Sequence, residues 1–170
     1  PDVVENSIQE FEYHADMVRW MGFGKSFQDF KINVHISGKL GPDGIRSIYP
    51  ELSQEARNCI TIENEENSWG LDDCLELSDI IPIVLDIHHH WCKTGEYIKP
   101  HDNRIQSIID SWRGVIPVIH YSNSKESILN NVESLPDYNS LLQSGIKKQH
   151  LRAHSDYYVN RELNLWAAEH

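Results

Sequence analysis

No run of about 18 apolar residues, the length a membrane-crossing helix needs, occurs in the chain, and no basic, apolar, small-residue stretch opens it. Membrane insertion and secretion are unsupported, and a cytoplasmic location is the default expectation. Cysteine is scarce. Cys59, Cys74 and Cys92 are odd in number, scattered and without CxxC spacing, so neither a disulfide framework nor a thiolate zinc site is indicated. Basic residues are outnumbered, 15 Lys and Arg against 26 Asp and Glu, for a formal net charge of -11. Phosphate-contacting surfaces are usually rich in Lys and Arg, so this deficit counts against a nucleic-acid partner unless bound divalent cations reverse the local charge. GxGxxG and GxxxxGK[ST] are also missing, and no nucleotide cofactor is expected.

What is present fits one domain: 170 residues with 39% hydrophobic content can bury a modest core. Ten histidines stand out in a chain this size, and borderline metals favour imidazole. The chain starts at Pro1 without an initiator Met and stops at Ala168-Glu169-His170 inside a helical pattern, as expected of a piece of a longer protein.

Apolar positions Val4, Ile8, Phe11, Ala15, Val18 and Met21 recur at helical spacing, with Pro1 at the start and Gly22 after the end, which predicts an amphipathic helix. Lys31-Ile32-Asn33-Val34-His35-Ile36-Ser37 predicts a strand, with a glycine-bearing loop after it. Further strands are expected at Cys59-Ile60-Thr61-Ile62-Glu63, at Ile81-Pro82-Ile83-Val84-Leu85-Asp86 and at Ile116-Pro117-Val118-Ile119-His120. Helix-period segments lie between them, at 71–77 and 102–112. Residues 121–149 read mainly as a long loop, and a last helix runs from Asn160 through Leu163 and Trp166. Near-continuous apolar strands alternating with helices imply an α/β fold with a parallel sheet, either doubly wound or a (β/α)8 barrel.

The polar residues carry the functional signal. His35, Glu63, Asp86 and His120 each fall at or near the C-terminal end of an expected strand. In a parallel barrel those ends share one face, where active sites are built. A lone His in such a place is more often a hydrogen-bonded core residue, and a lone Asp or Glu often caps the next helix. Four together are different, because ionised groups gathered on one rim repel unless metals or partners hold them. Mixed N/O ligands suit a divalent metal cluster, and Glu63 could bridge two ions. Asp86-Ile87-His88-His89-His90 is the densest local signal, since Asp-x-x-His spacing lets one strand end serve neighbouring ions. Strand alternation would turn His88 and His90 toward a supporting or packing role. His154 sits on a loop able to fold back over the rim, and His14, His101, His150 and His170 read as surface residues.

Several ordered stretches, Asn33-Val34-His35-Ile36-Ser37-Gly38, Thr61-Ile62-Glu63-Asn64-Glu65-Glu66, Val84-Leu85-Asp86-Ile87-His88-His89-His90, Ser111-Trp112-Arg113-Gly114, Pro117-Val118-Ile119-His120-Tyr121-Ser122 and Arg152-Ala153-His154, closely resemble the UV damage endonuclease family. The resemblance covers essentially the whole chain. It implies a TIM barrel of the xylose isomerase and apurinic endonuclease type, holding up to three divalent ions, commonly manganese, in a groove for damaged double-stranded DNA. It also implies incision 5′ of pyrimidine dimers, leaving a 3′-hydroxyl and a 5′-phosphate. By the same resemblance His35 and Glu63 are ligands of the first ion, Glu63, Asp86 and His120 of the second, and His89 and His154 of the third. Glu63, Asp86 and His120 are then the expected catalytic residues. Divalent ions supply an activated water and charge against the phosphate, so no side-chain nucleophile is required. Arg113 is a candidate DNA-phosphate contact, or else belongs to a structural turn in which Trp112 packs under the rim.

Only four of the family's eight strands are expected here, resembling the fourth to the seventh, so the whole of residues 1–170 reads as one domain forming an incomplete barrel. A histidine ligand, the residues that probe the lesion and a final glutamate ligand fall outside it, and Val118 stands where some relatives carry a modified lysine. Such a piece would leave two open sheet edges and an exposed apolar face, with self-association or instability as the consequence. Two alternatives stay open. A metal-dependent sugar isomerase or epimerase on the same barrel would turn over sugar phosphates without cutting DNA, and an inactive truncated fragment would bind one metal weakly.

Overall fold

The computed structural model describes residues 2–129 and 133–170. Pro1, read at the head of the first helix, and residues 130–132, within the stretch read as a long loop, lie outside the described residues. Helix α1 (Asp2–Trp20) follows the three-to-four apolar repeat and buries Ala15 and Val18. Gly22, at φ +91°, turns the chain out of it, donating its N–H to Arg19 O at 2.9 Å.

After strand β1 (Ile32–His35) the segment expected as a glycine-bearing loop is instead helical. It forms α2 (Gly41–Ile48), a 3-10 turn (Tyr49–Glu51) and α3 (Gln54–Cys59). These helices start on local signals, Pro42 in the first turn of α2 and Ser53 before α3, whose hydroxyl accepts from Ala56 N–H at 3.1 Å. Both are too short to show periodicity. There follow β2 (Ile60–Glu63), α4 (Leu71–Leu75), β3 (Ile83–Asp86), α5 (Ile87–Thr94), α6 (Asn103–Ser111) and β4 (Ile119–His120). Strands β3 and β4 are shorter than their apolar runs because Pro82 and Pro117 lack the N–H that a ladder needs at its entry.

The four strands lie in the order β1-β2-β3-β4, all parallel, with His35 beside Glu63 and Asp86 beside His120. Every residue of β2 and β3 is buried, as expected for central parallel strands covered on both faces, while β1 alternates and β4 is half-buried. Trp112 fills the space beside β3 and donates its indole N–H to Ile83 O at 2.7 Å.

The stretch read mainly as a long loop carries three short helices, α7 (Glu126–Leu129), α8 (Tyr138–Gln143) and α9 (Lys148–Leu151). Asp137 caps α8 by accepting from Ser140 N–H at 2.7 Å, and Tyr138 and Leu151 close a small apolar cluster around Trp91. Burial of those side chains, which no local pattern announces, overrides the polar composition. The final helix α10 (Arg161–Ala168) begins where expected, with the Asn160 side chain accepting from Leu163 N–H at 2.9 Å.

Arg113 occupies the turn between α6 and β4 at φ +50°. Its guanidinium donates to Ile80 O at 2.7 Å and lies 4.7 Å from the centre of the Phe27 ring. Ile80 precedes β3 and Phe27 precedes β1, so the structure takes Arg113 to the N-terminal ends of the strands and does not bring it to the other candidate site residues. Replacing it with Ala should cost about 1 kcal/mol in a urea melt and leave metal uptake unchanged.

Asp102 both caps α6, accepting from Arg104 N–H at 2.9 Å, and pairs with the Arg104 guanidinium, which also reaches Glu96 at 2.6 Å. The Arg104 guanidinium holds the Asp102 carboxyl down at about 2 and keeps Glu96 below the usual carboxylate range. Folded values below unfolded ones stabilise the fold at neutral pH, and that contribution is lost as the pH falls through the folded values. From about pH 5 to about pH 2, the wild type should therefore lose stability more steeply than Asp102→Asn, as followed by tryptophan fluorescence.

Candidate metal centre

The sheet delivers Glu63 at the end of β2, His35 at the end of β1, Asp86 at the end of β3 and His120 at the end of β4. Because the strands are parallel and adjacent, these residues meet at the C-terminal end of the sheet. Glu63 is the hub, its side chain only 3% exposed. Its Oε2 lies 2.9 Å from His120 Nδ1 and 3.7 Å from His35 Nε2, and it accepts a hydrogen bond from Asn33 Nδ2. Its Oε1 lies 3.8 Å from His89 Nδ1. Both His35 and His120 are half open to solvent, so the pocket has a buried carboxylate floor and imidazole walls.

Asp86 ends β3 and caps α5 in one step. Its Oδ1 accepts from His89 N–H at 2.8 Å, which fixes the rotamer and leaves Oδ2 facing the cluster, 3.5 Å from His89 Nδ1. Burial pushes the Asp86 carboxyl above its ordinary range, and neighbouring Glu63 adds to the effect. Asn64, fully buried, grips the Asp86 backbone on both sides, accepting from its N–H and donating to its carbonyl, each at 2.9 Å. This side chain continues the β2–β3 ladder for one more residue.

Among the described residues, two groups of side chains can each place ligand atoms within 4.8 Å of one another, Glu63, Asp86 and His120 in one, and His35, Glu63 and His89 in the other. Two buried carboxylates among three imidazoles suit a divalent ion, whose charge would relieve the repulsion between the acids. The first group unites the three residues expected to be catalytic. In the second, His89 Nδ1 lies 3.1 Å from the Asn64 carbonyl oxygen, which can only accept, so that nitrogen carries the proton and Nε2 is left as the donor atom for a metal. His154, carried back by a bridge to Ser124, sits with its ring centre 6.0 Å from that of His89.

His88 and His90 do not follow strand alternation, because helix α5 starts directly at Ile87. His88 is buried, stacks on Trp91 and lies 3.5 Å from Cys92 Sγ. Burial, with His154 nearby, pushes its pKa down to about 3, so it is a neutral packing residue. His90 turns to the opposite side and bonds Glu96 at 2.9 Å. Of the histidines read as surface, His101 and His150 are exposed, while His14 and His170 are half-buried against the carbonyls of Glu10 and Trp166. The cysteines are buried and free, and burial pushes the Cys74 and Cys92 thiols up to about 12, as inert thiols should be.

Sequence reasoning assigned no role to Asn33, Asn64, Glu66 or Arg152. Asn33 precedes His35 by two residues on β1, so strand alternation alone would have put both on one face. Glu66 lies 3.7 Å from His89 Nε2 and 3.4 Å from Arg152, a contact across 86 residues of chain that no local signal announces.

The sequence model of one family, UV-endonuclease UvdE, matches residues 1–167. A UV-damage endonuclease of Neurospora crassa is 29% identical over 140 residues, which cover 71% of this chain and 21% of that protein. A putative UV-damage endonuclease of Acanthamoeba polyphaga mimivirus is 29% identical over 153 residues, covering 81% and 45%. The crystal structure of SacUVDE shares the fold, with a TM-score of 0.61 at 23% identity over 86% of this chain and 52% of that chain. The chain spans less than half the length of these two curated relatives. No helix among the described residues is long and apolar enough to cross a membrane. With the family's sequence model matched over nearly its whole length, the chain belongs to the UV-endonuclease UvdE family.

Proposed function

We propose that residues 1–170 are the metal-binding part of a DNA repair endonuclease that cuts 5′ of UV photoproducts, leaving a 3′-hydroxyl and a 5′-phosphate, with manganese as the metal. The observation that carries this reading is the Glu63–Asp86–His120 group, three ligand types from three neighbouring strand ends with the shared carboxylate buried. The names of the relatives, UV-damage endonucleases, supply the substrate class. The strand order supports an arc of a (β/α)8 barrel, since each strand pairs with the next and the order never reverses as it does in a doubly wound sheet.

Divalent ions at this centre would activate water and neutralise the phosphate and the departing oxygen. Glu63, held by Asn33 and His120, joins neighbouring ligand groups. Asp86 keeps one oxygen on the α5 backbone and offers the other. The half-open imidazoles of His35 and His120 mark the side from which a phosphate would approach. Cations bound here also answer the acidic balance of the chain, because they place positive charge at the one point where a phosphate must dock.

The test is strand scission. The chain, and the polypeptide encoded by its whole reading frame, are incubated with manganese and a duplex carrying one pyrimidine dimer. A cut immediately 5′ of the dimer is expected from the longer protein. If it binds metal and leaves the duplex whole, the reading fails and sugar-phosphate turnover becomes the assay of choice.

A further inference from the structure

A metal centre engages the phosphate that is cut, but a duplex must also be held on either side of the cut. In a chain with 15 basic against 26 acidic residues, the cations that hold it have to be gathered in one place. One stretch meets that condition. From Tyr138 to Ser155 there is neither Asp nor Glu, while Lys147, Lys148, His150, Arg152 and His154 fall within eight residues.

Several cations elsewhere are engaged by the fold itself. Arg46 pairs with Asp79, Arg104 pairs with Glu96 and Asp102, and Lys31 and Arg113 lie against the Phe27 ring. Lys147 and Lys148 are different. Both are exposed and form no ion pair among the described residues, and the Lys148 ammonium rests 5.6 Å from the centre of the Tyr138 ring.

The far end of the stretch is moored beside the metal centre. Leu151 is buried and its carbonyl accepts from Ser124 Oγ at 2.6 Å. Arg152 Nη1 lies 3.4 Å from Glu66 Oε1, and the His154 ring centre is 6.0 Å from that of His89. Lys148 precedes His154 by six residues, at most about 21 Å of chain. That reach is roughly six base-pair steps of duplex at about 3.4 Å each.

We propose that Lys147 and Lys148, carried by α9 and the residue before it, grip the phosphates of the duplex flanking the cut, whether or not a lesion is present. This rests on the reading of the protein as a DNA endonuclease. The opposing view is that the two lysines only keep a short surface helix in water.

The salt dependence of binding separates the two. The polypeptide encoded by the whole reading frame is titrated, in manganese buffer, with a fluorescent lesion-free duplex at several salt concentrations, and binding is read by anisotropy. Lys147→Gln with Lys148→Gln should bind at least about 10-fold more weakly at about 50 mM salt, and the slope of log affinity against log salt should fall by about 2. Manganese content should stay at the wild-type level, and Lys147→Arg with Lys148→Arg should restore the slope. Lys25→Gln, which removes an exposed lysine from the loop before β1, at the other end of the strands, should change neither quantity. Wild-type affinity and slope in the folded double Gln variant overturn the proposal, as does an equal loss in Lys25→Gln, which would reduce the effect to net charge. Either result leaves the endonuclease reading in place if the wild type cuts the dimer-bearing duplex, whereas wild-type protein that binds no duplex overturns both.

Discussion

Glu63→Gln should abolish strand scission by the active protein, a fall of at least about a thousand-fold, and strip manganese from the centre while leaving the fold in place. The magnitude follows from where the charge sits. Glu63 is the member common to both ligand groups, and its two oxygens face different partners, His35 and His120 on one side and His89 on the other. Glutamine has nearly the same shape, and its amide oxygen can still accept from Asn33. It brings no negative charge, however, and it replaces one donor oxygen by an N–H group that cannot ligate. Metal content and cutting are measured on the same preparation, with a thermal melt as the control for folding. Wild-type manganese content and cutting in the variant would remove Glu63, and with it the proposed centre.

Asn64→Ala should be the most destabilising polar substitution near the site, at about 3 kcal/mol, or roughly 6–12 °C in melting temperature. The Asn64 amide satisfies both backbone groups of Asp86, in a place from which water is excluded. Truncation leaves a buried N–H and a buried carbonyl without partners, each costing about 1–3 kcal/mol. It also frees the end of β3, so manganese should bind more weakly even though no ligand has been touched. A urea titration monitored by circular dichroism gives the first quantity, and manganese dialysis the second. A variant as stable as wild type would mean that the Asp86 backbone finds other partners and that the clamp is dispensable.

The parts of the fold that were legible are those whose pattern is local. β2 and β3 are near-continuous apolar runs because both faces are covered, and the single charged residue at the end of each, Glu63 and Asp86, stands out against them. Helices α1 and α6 carry enough turns to show their period, and α10, though short, is marked by Asn160 before it and by Leu163 and Trp166 within it. By contrast α2, α3, α7, α8 and α9 have at most eight residues each, and they form because packing against the sheet or around Trp91 rewards them. His88 and His90 take the supporting and packing places expected of them, but from a helix and not by strand alternation. The strand passes into α5 with no glycine or proline between, so nothing in the string of letters marks the change from a two-residue to a 3.6-residue repeat. By its neighbours in sequence Arg113 was open between a DNA-phosphate contact and a structural turn, and its contacts with Ile80 and Phe27 depend on chain that folds in from far away.

That seamless passage from β3 into α5 also bears on which ions the protein can accept. Asp86 and His89 are one turn apart on a rigid junction, with the first residue pinned by Asn64 and the second by the Asn64 carbonyl. Two ligands held this way have little freedom to move apart. Calcium, whose oxygen ligands sit at about 2.3–2.6 Å and number six to eight, needs a wider and more yielding mouth than smaller ions held at about 2.0–2.2 Å. On the proposed reading the junction would act as a gauge of ionic radius, and calcium should compete poorly with manganese for the centre even when it is in large excess.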